Sequence, residues 1–205
     1  MYTSMASTSD IRKTYSDQTV KFPLQSSRGH NYVFILYGYD YNAIVSVPLK
    51  NRQAKLIADA WQNFFSQLKD NGYTPDLHII DNECSELLKN SFRKYNINFQ
   101  RVPPHSHQQN SAEHAIQTWK HHLIAGLATC GLDFLPAEWY RIMPQCNITI
   151  NLLRSSGRQA KLSIHACLYG NFDLYRSPLA PPGTKVVIHD TVNQRDSLAP
   201  HGIEG

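Results

Sequence analysis

Apolar and polar positions alternate with a changing period along this chain, and the changes mark its elements. Thr14–Leu24 reads as a strand broken at Pro23, and Gln25–His30, with its Ser-Ser-Arg-Gly, as a turn. Tyr32–Tyr39 (YVFILYGY) is a dense run of β-branched and aromatic residues, the pattern of a strand buried on both faces. Ala43–Val47 predicts a third strand, with Tyr41-Asn42 as a hairpin turn, so the chain opens as an antiparallel meander. The period then lengthens. From Gln53 to Leu68, apolar residues Ala54, Ile57, Ala58, Trp61, Phe64, Phe65 and Leu68 recur at helical spacing, and Asn71-Gly72 closes the helix. Leu77–Ile80 is a short apolar strand stopping at Asp81, Ser85–Tyr95 a second helix and Asn98–Val102 another short strand. Pro103–Asn110 (PPHSHQQN) reads as a polar loop. Helical spacing returns over Ser111–Ala128, through Ala115, Trp119, His122 and Leu123, and again from Ala137 to Leu153 after Pro136. Beyond Arg154 the pattern fades, apart from a strand at Thr184–His189 introduced by Pro-Pro-Gly.

This order predicts an α/β protein with the RNase H-like fold. Its five-stranded mixed sheet has three antiparallel strands followed by two parallel ones, flanked by helices. The three tryptophans, Trp61, Trp119 and Trp139, fall at helical core spacing and are read as packing residues.

Composition narrows the picture only modestly. A chain of 205 residues can bury one substantial core. Hydrophobic content of 41% and charged content of 18% fit an ordinary globular protein. No apolar run approaches the roughly 20 residues that span a bilayer, and no signal-peptide centre is present, so an intracellular protein with no membrane partner is expected. Cys84, Cys130, Cys146 and Cys167 are scattered and read as free thiols. The formal net charge of +4 permits a nucleic-acid partner without demanding one.

Three acids occupy telling positions. Asp17 lies in the first strand, Asp81 at the carboxyl end of the fourth, and Glu113 on the first turn of the helix that follows the polar loop. If strands one and four are neighbours, the aspartates come together and the helix start can lay Glu113 over them. Clustered carboxylates repel and call for a compensating cation, and hard oxygen donors select Mg²⁺ or Mn²⁺. Two such ions about 3.5–4 Å apart support in-line phosphoryl displacement. Taken singly each acid also has a plain structural reading: Asp81 as a turn former, and Glu113 as partner of Asn110 in a capping box. His105, His107, His114, His121 and His122 could suggest zinc, but they lack a nearby cysteine and read as solvated loop and helix-face residues. Lys50, Arg52, Lys55, Arg93, Lys94 and Arg101 fit equally a phosphate track or a solvated face.

The segments Asp17-Gln18-Thr19, Ile80-Asp81-Asn82 and Gln108-Gln109-Asn110-Ser111-Ala112-Glu113 resemble the D,D-E signature of retroviral and LTR-retrotransposon integrases. The run Pro-His-x-His-Gln-Gln-Asn before the glutamate is similar to copia-like elements in particular. Asp81 and Glu113 lie 32 positions apart, slightly closer than is usual in that family. The resemblance implies a catalytic core over residues 14–170, behind a flexible leader at 1–13. Residues 171–205 would then be a C-terminal extension, the start of a truncated small β module. It implies Asp17, Asp81 and Glu113 as catalytic and metal ligands for two Mg²⁺ (or Mn²⁺) ions, with Gln109, Asn110 and Lys120 contacting DNA. The implied activity is Mg²⁺-dependent 3′-end processing and strand transfer into target DNA by a homo-oligomer, in the nucleus if the host is eukaryotic. Val20 and Glu83 stand where the family often has glycine. Two other readings remain open: a catalytically decayed remnant that binds only DNA or a partner, and another RNase H-like nuclease.

Overall fold

Three strands open the fold: β1 (Lys13–Gln18), β2 (Tyr32–Gly38) and β3 (Ala43–Leu49). There follow α1 (Ala54–Asp70), β4 (Leu77–Ile80), α2 (Glu86–Lys94), β5 (Asn98–Arg101) and α3 (Ser111–Ala128). A 3-10 segment at Pro136–Ile142 leads into α4 (Met143–Leu153), and α5 (Ile164–Tyr169), β6 (Val187–His189) and β7 (Gly202–Glu204) complete the elements. The computed structural model describes residues 11–80, 84–102, 111–181, 184, 187–189 and 202–204.

The sheet order is β3-β2-β1-β4-β5, with β1–β2 and β2–β3 antiparallel and β1–β4 and β4–β5 parallel. This is the expected five-stranded mixed sheet. Helices cover both of its faces. On one, Phe34 and Leu36 of β2 pack with Trp61, Phe64 and Phe65 of α1 and Phe92 of α2. On the other, Val33 and Ile35 pack with Trp119 of α3 and Met143 and Ile150 of α4. Val33–Leu36 are at most 1% exposed, so β2 is buried on both sides as its unbroken apolar run requires. Trp61, Trp119 and Trp139 are all core residues. Among the described residues no helix is long and apolar enough to cross a membrane. All four cysteines are free thiols.

Several boundaries differ from the sequence reading, each for a local reason. The first strand stops at Gln18 rather than Leu24: the Thr19 hydroxyl accepts the Val33 N–H at 2.9 Å, the chain swings away, and Val20 is 69% exposed. The helix expected from Ala137 to Leu153 is split at Ile142–Met143. Pro144 explains the split. It has no N–H to donate and its ring would meet the carbonyl of Tyr140 in a continuous helix, whereas in the first turn of α4 neither matters. Helix α5 falls where the pattern faded. At six residues it is too short to show a period, yet Ser163 caps its start by accepting the Ala166 N–H at 3.0 Å, and Gly170, at φ 81°, ends it. The last expected strand covers Val187–His189 and pairs antiparallel with Gly202–Glu204.

Strand β3 is an edge, yet its outward donors are disarmed. Asn151 of α4 accepts the Ile44 N–H at 3.1 Å and donates to the Ile44 carbonyl at 2.7 Å. Asn147, one turn earlier, accepts from Ser46 N–H and donates to its carbonyl, both at 3.0 Å. Two side-chain amides spaced i, i+4 thus act as a two-residue strand, and the next outward position, Pro48, has no N–H. Asn151 is only 2% exposed, so Asn151→Ala leaves the Ile44 groups unpaired in the interior. The expected cost is about 2 kcal/mol, read as a lower urea midpoint at unchanged m-value, with light scattering showing more self-association through the opened edge.

Candidate functional site

The carboxyl ends of β1 and β4 lie side by side. Their parallel register pairs Lys13 with Leu77, Thr14 with His78, Tyr15 with Ile79 and Ser16 with Ile80. Asp17 is the next residue of β1, half-buried and opposite Ile35 of β2. Strand alternation puts it on the same face as Tyr15, the face covered by α3 and α4. Its Oδ1 accepts the Gln18 N–H at 2.7 Å. Asp81, the residue after Ile80, lies outside the described residues, as do Gln109 and Asn110.

Glu113 is the third residue of α3 and is half-buried. The helix seats itself through Ala112, Ala115, Ile116, Trp119 and Leu123 and packs against β1 and β2. Its start also meets β1 directly, where the Tyr15 hydroxyl faces the side chain of Ser111. Burial raises the Tyr15 phenol, and the Ser111 side chain partly opposes that. Tyr15 is two positions before the aspartate, and Ser111 two before the glutamate. The structure brings these two acids onto one face of the sheet, on elements in contact.

Lys120 follows Glu113 by seven residues, so the two share a face of α3 about 10 Å apart along its axis. Lys120 lines a groove of about 400 Å³ with Lys21, Phe22, Leu24, Ile124 and Trp139. On the other side of the sheet, beside the end of β1, Gln18, Arg52, Cys84 and Ser85 line a second depression of about 310 Å³ between the starts of α1 and α2. Arg52 is held there by donating to the Thr19 carbonyl at 3.0 Å and by lying 5.0 Å over the Tyr32 ring. Neither depression was legible in the sequence, because each is assembled from segments distant along the chain.

Of the histidines on α3, His114 and His121 are exposed and His122 is half-buried. The Thr149 hydroxyl donates to the Gln145 carbonyl at 2.9 Å, so His122 donates its Nε2 proton to the Thr149 Oγ1 at 2.5 Å. His105 and His107 lie outside the described residues.

The sequence reading missed His78. This residue is wholly buried under the strand ends, on the α1 side of the sheet. Its Nδ1 lies 2.8 Å from Thr14 Oγ1 and 3.4 Å from Trp61 Nε1, and its Nε2 lies 2.9 Å from Ser16 Oγ. An indole N–H can only donate, so Nδ1 is the acceptor. The ring proton therefore sits on Nε2 and is donated to Ser16. Alternating polar positions in two strands (Thr14, Ser16, His78) were the available signal, hidden because the pairing of β1 with β4 is not a local property.

The chain matches no protein-family profile and no curated protein sequence. Solved structures do share its shape. It superposes on a chain of the simian T-cell lymphotropic virus intasome, determined in complex with the PP2A regulatory subunit B56 gamma, with a TM-score of 0.61 and 12% identity. That match covers 87% of this chain and 60% of the other, so this chain spans less than two thirds of its length. The magnesium complex of the HTLV-2 integrase catalytic core domain gives 0.58 at 14% identity over 77% of this chain and 95% of that domain. The BIV integrase catalytic core gives 0.55 at 14% identity over 76% and 92%. The fold is that of retroviral integrase catalytic cores. Within an integrase-core fold, β1, β4 and the start of α3 are the elements that carry Asp17, the strand end before Asp81, and Glu113.

Burial depresses the His78 pKa from 6.5 to about 3. The unfolded chain takes up this proton near pH 6.5 and the folded chain only near pH 3. The stability that neutral His78 supplies is thus complete above about 6.5 and drains away as pH falls towards 3, at up to about 1.4 kcal/mol per unit. Burial lowers His30 and His122 in the same direction. Urea unfolding at pH 7 and pH 5 is expected to differ by about 2 kcal/mol from His78 alone. Equal stabilities at the two values would contradict the buried neutral ring.

Proposed function

We propose that this chain is the catalytic core of a DNA integrase of the LTR-retrotransposon, copia-like type. It trims a DNA 3′ end by hydrolysis and then joins the freed hydroxyl to a phosphodiester of target DNA, in a Mg²⁺-dependent reaction. The observation that carries this reading is the pairing of Ser16 with Ile80. Asp17 and Asp81 are the residues that follow these two partners, each one peptide step, about 3.8 Å, further on. The integrase-core fold and the meeting of Tyr15 with Ser111 at the start of the helix bearing Glu113 add support.

The donor set fits a hard divalent cation: three carboxylates, with Asp17 at a half-buried strand end and Glu113 on a helix start, both open enough for water and phosphate oxygens. Asp17, Asp81 and Glu113 would hold two Mg²⁺ (or Mn²⁺) ions, which supply activation of the attacking oxygen and stabilisation of the leaving one. Asp17, short-armed and anchored to the Gln18 N–H, holds its carboxylate rigidly, while Glu113 has the reach to follow the phosphate as it moves. Lys120 offers its ammonium to a backbone phosphate two turns from Glu113, and Gln109 and Asn110 contact the DNA end. The core takes in residues 14–170, and residues 171–205 form a C-terminal extension. DNA and further copies of the chain are its partners, and its place is inside the cell, in the nucleus where the host is eukaryotic.

Glu113→Gln and Asp17→Asn are each expected to reduce end joining of a labelled DNA duplex by about a hundredfold or more while leaving the circular dichroism spectrum unchanged. Undiminished joining by Glu113→Gln would remove that residue from the ligand set. Absence of joining by the wild-type chain in the presence of Mn²⁺ would favour a folded remnant that only binds DNA, and cleavage of an RNA–DNA hybrid would favour a different nuclease of this fold.

A further inference from the structure

Directly beneath the strand ends, His78, Thr14 and Ser16 form a polar island in an apolar layer. Thr14, Ser16 and His78 are each at most 1% exposed, and the Trp61 and Phe92 rings pack against the imidazole at centroid distances of 5.7 and 5.0 Å. Apolar side chains of similar size would fill this space without the desolvation that three buried polar groups incur. What the polar groups add is direction. A slip of β4 along β1 by two residues would keep every side chain on its present face, so apolar contacts discriminate weakly against it. The imidazole discriminates strongly. One ring nitrogen meets Thr14 and the other Ser16, successive positions on one face of β1. After a two-residue slip either Gln18 or Arg12 would replace one of these hydroxyls.

We propose that His78 is a positioning residue that pins the register of β1 against β4, holding Asp17 level with the end of β4 for cation binding. The inference rests on the metal-binding reading of Asp17, Asp81 and Glu113. The Arg12–Asp76 pair fixes the other end of the same two strands, with Nε to Oδ2 at 3.0 Å and Nη2 to Oδ1 at 2.9 Å. It lies at the surface, with side chains 33% and 44% exposed, where water competes for both partners. His78 acts from the interior, next to the residues that matter, and its partner Ser16 is the immediate neighbour of Asp17.

The test is Mn²⁺ binding, followed by the free-ion signal in electron paramagnetic resonance, so that no turnover is needed. Two variants are compared with the wild-type chain. Ser16→Ala removes the acceptor for the Nε2 proton, and the triple change Thr14→Val, Ser16→Ala, His78→Leu replaces the whole island by apolar groups. A merely structural island predicts that a folded triple variant binds Mn²⁺ as the wild type does. The positioning role predicts affinity lower by about tenfold or more in both variants, at unchanged circular dichroism. Ser16→Ala decides the matter if the triple variant does not fold. Wild-type Mn²⁺ affinity in either folded variant overturns the proposal and leaves the metal-binding reading standing. If Asp17→Asn does not alter Mn²⁺ binding by the otherwise wild-type chain, the metal-binding reading itself falls, and this proposal with it.

Discussion

The parallel pairing of β1 with β4 is the constraint on which the rest of the molecule depends. It joins the amino-terminal meander to the helix–strand portion that follows, across more than sixty residues of intervening chain. Such a long-range closure is entropically costly and cannot be specified by local sequence alone. The chain specifies it with directional bonds at two levels. Arg12 and Asp76 meet where the strands begin, and the Arg12 carbonyl also accepts the N–H groups of Asp76 and Leu77 at 2.9 and 3.1 Å. Further along, Thr14 and Ser16 meet the two sides of His78. Between these levels the register has little freedom, and Asp17, which follows Ser16, inherits that precision.

The same sheet must accept a partner on one side of each strand without inviting one at its rim. The first three strands resolve this in different ways. β2 is paired on both sides and apolar on both faces. β1 is paired on both sides but alternates, with hydroxyls towards α1 and Tyr15 and Asp17 towards α3. β3 has a free side, and Asn147 and Asn151 close it with groups that reproduce peptide pairing. A helix that both covers a face and seals an edge has to arrive at the correct height. The break at Ile142–Met143 lets α4 start its own course instead of continuing the 3-10 segment. Pro144 and the two asparagines are thus parts of one arrangement.

This division explains how much could be read in the sequence. Elements with strong periodic signals were legible: the buried run of β2, the amphipathic α1 with its Asn71-Gly72 close, and the span of α3. The element order and the mixed sheet followed from them. Boundaries set by single side chains were not, as with Thr19 turning the chain out of β1 and Pro144 splitting a helix. The six-residue α5 carried only its Ser163 cap and Gly170 stop. At the site, Asp17 and Glu113 were legible because their elements were, and the structure puts those elements in contact. Tyr15–Ser111 and the His78 island were not, because each joins residues whose proximity exists only after β1 has found β4 and α3 has crossed the sheet. The expectations for Asp81, Gln109 and Asn110 fall outside the described residues.

A single step along β1 separates two opposed environments. Ser16 is fully buried against a neutral imidazole, and Asp17, on the other face, is half-exposed. An ionised carboxylate in the position of Ser16 would pay the full desolvation of a charge next to a ring that has no proton to spare for it. A hydroxyl in the position of Asp17 would carry no charge at all. The alternation of a strand allows both demands to be met by adjacent residues, provided the strand neither slips nor twists out of register. That register is held by the Arg12–Asp76 pair where the two strands begin and by the bonds of His78 to Thr14 and Ser16 directly beneath Asp17.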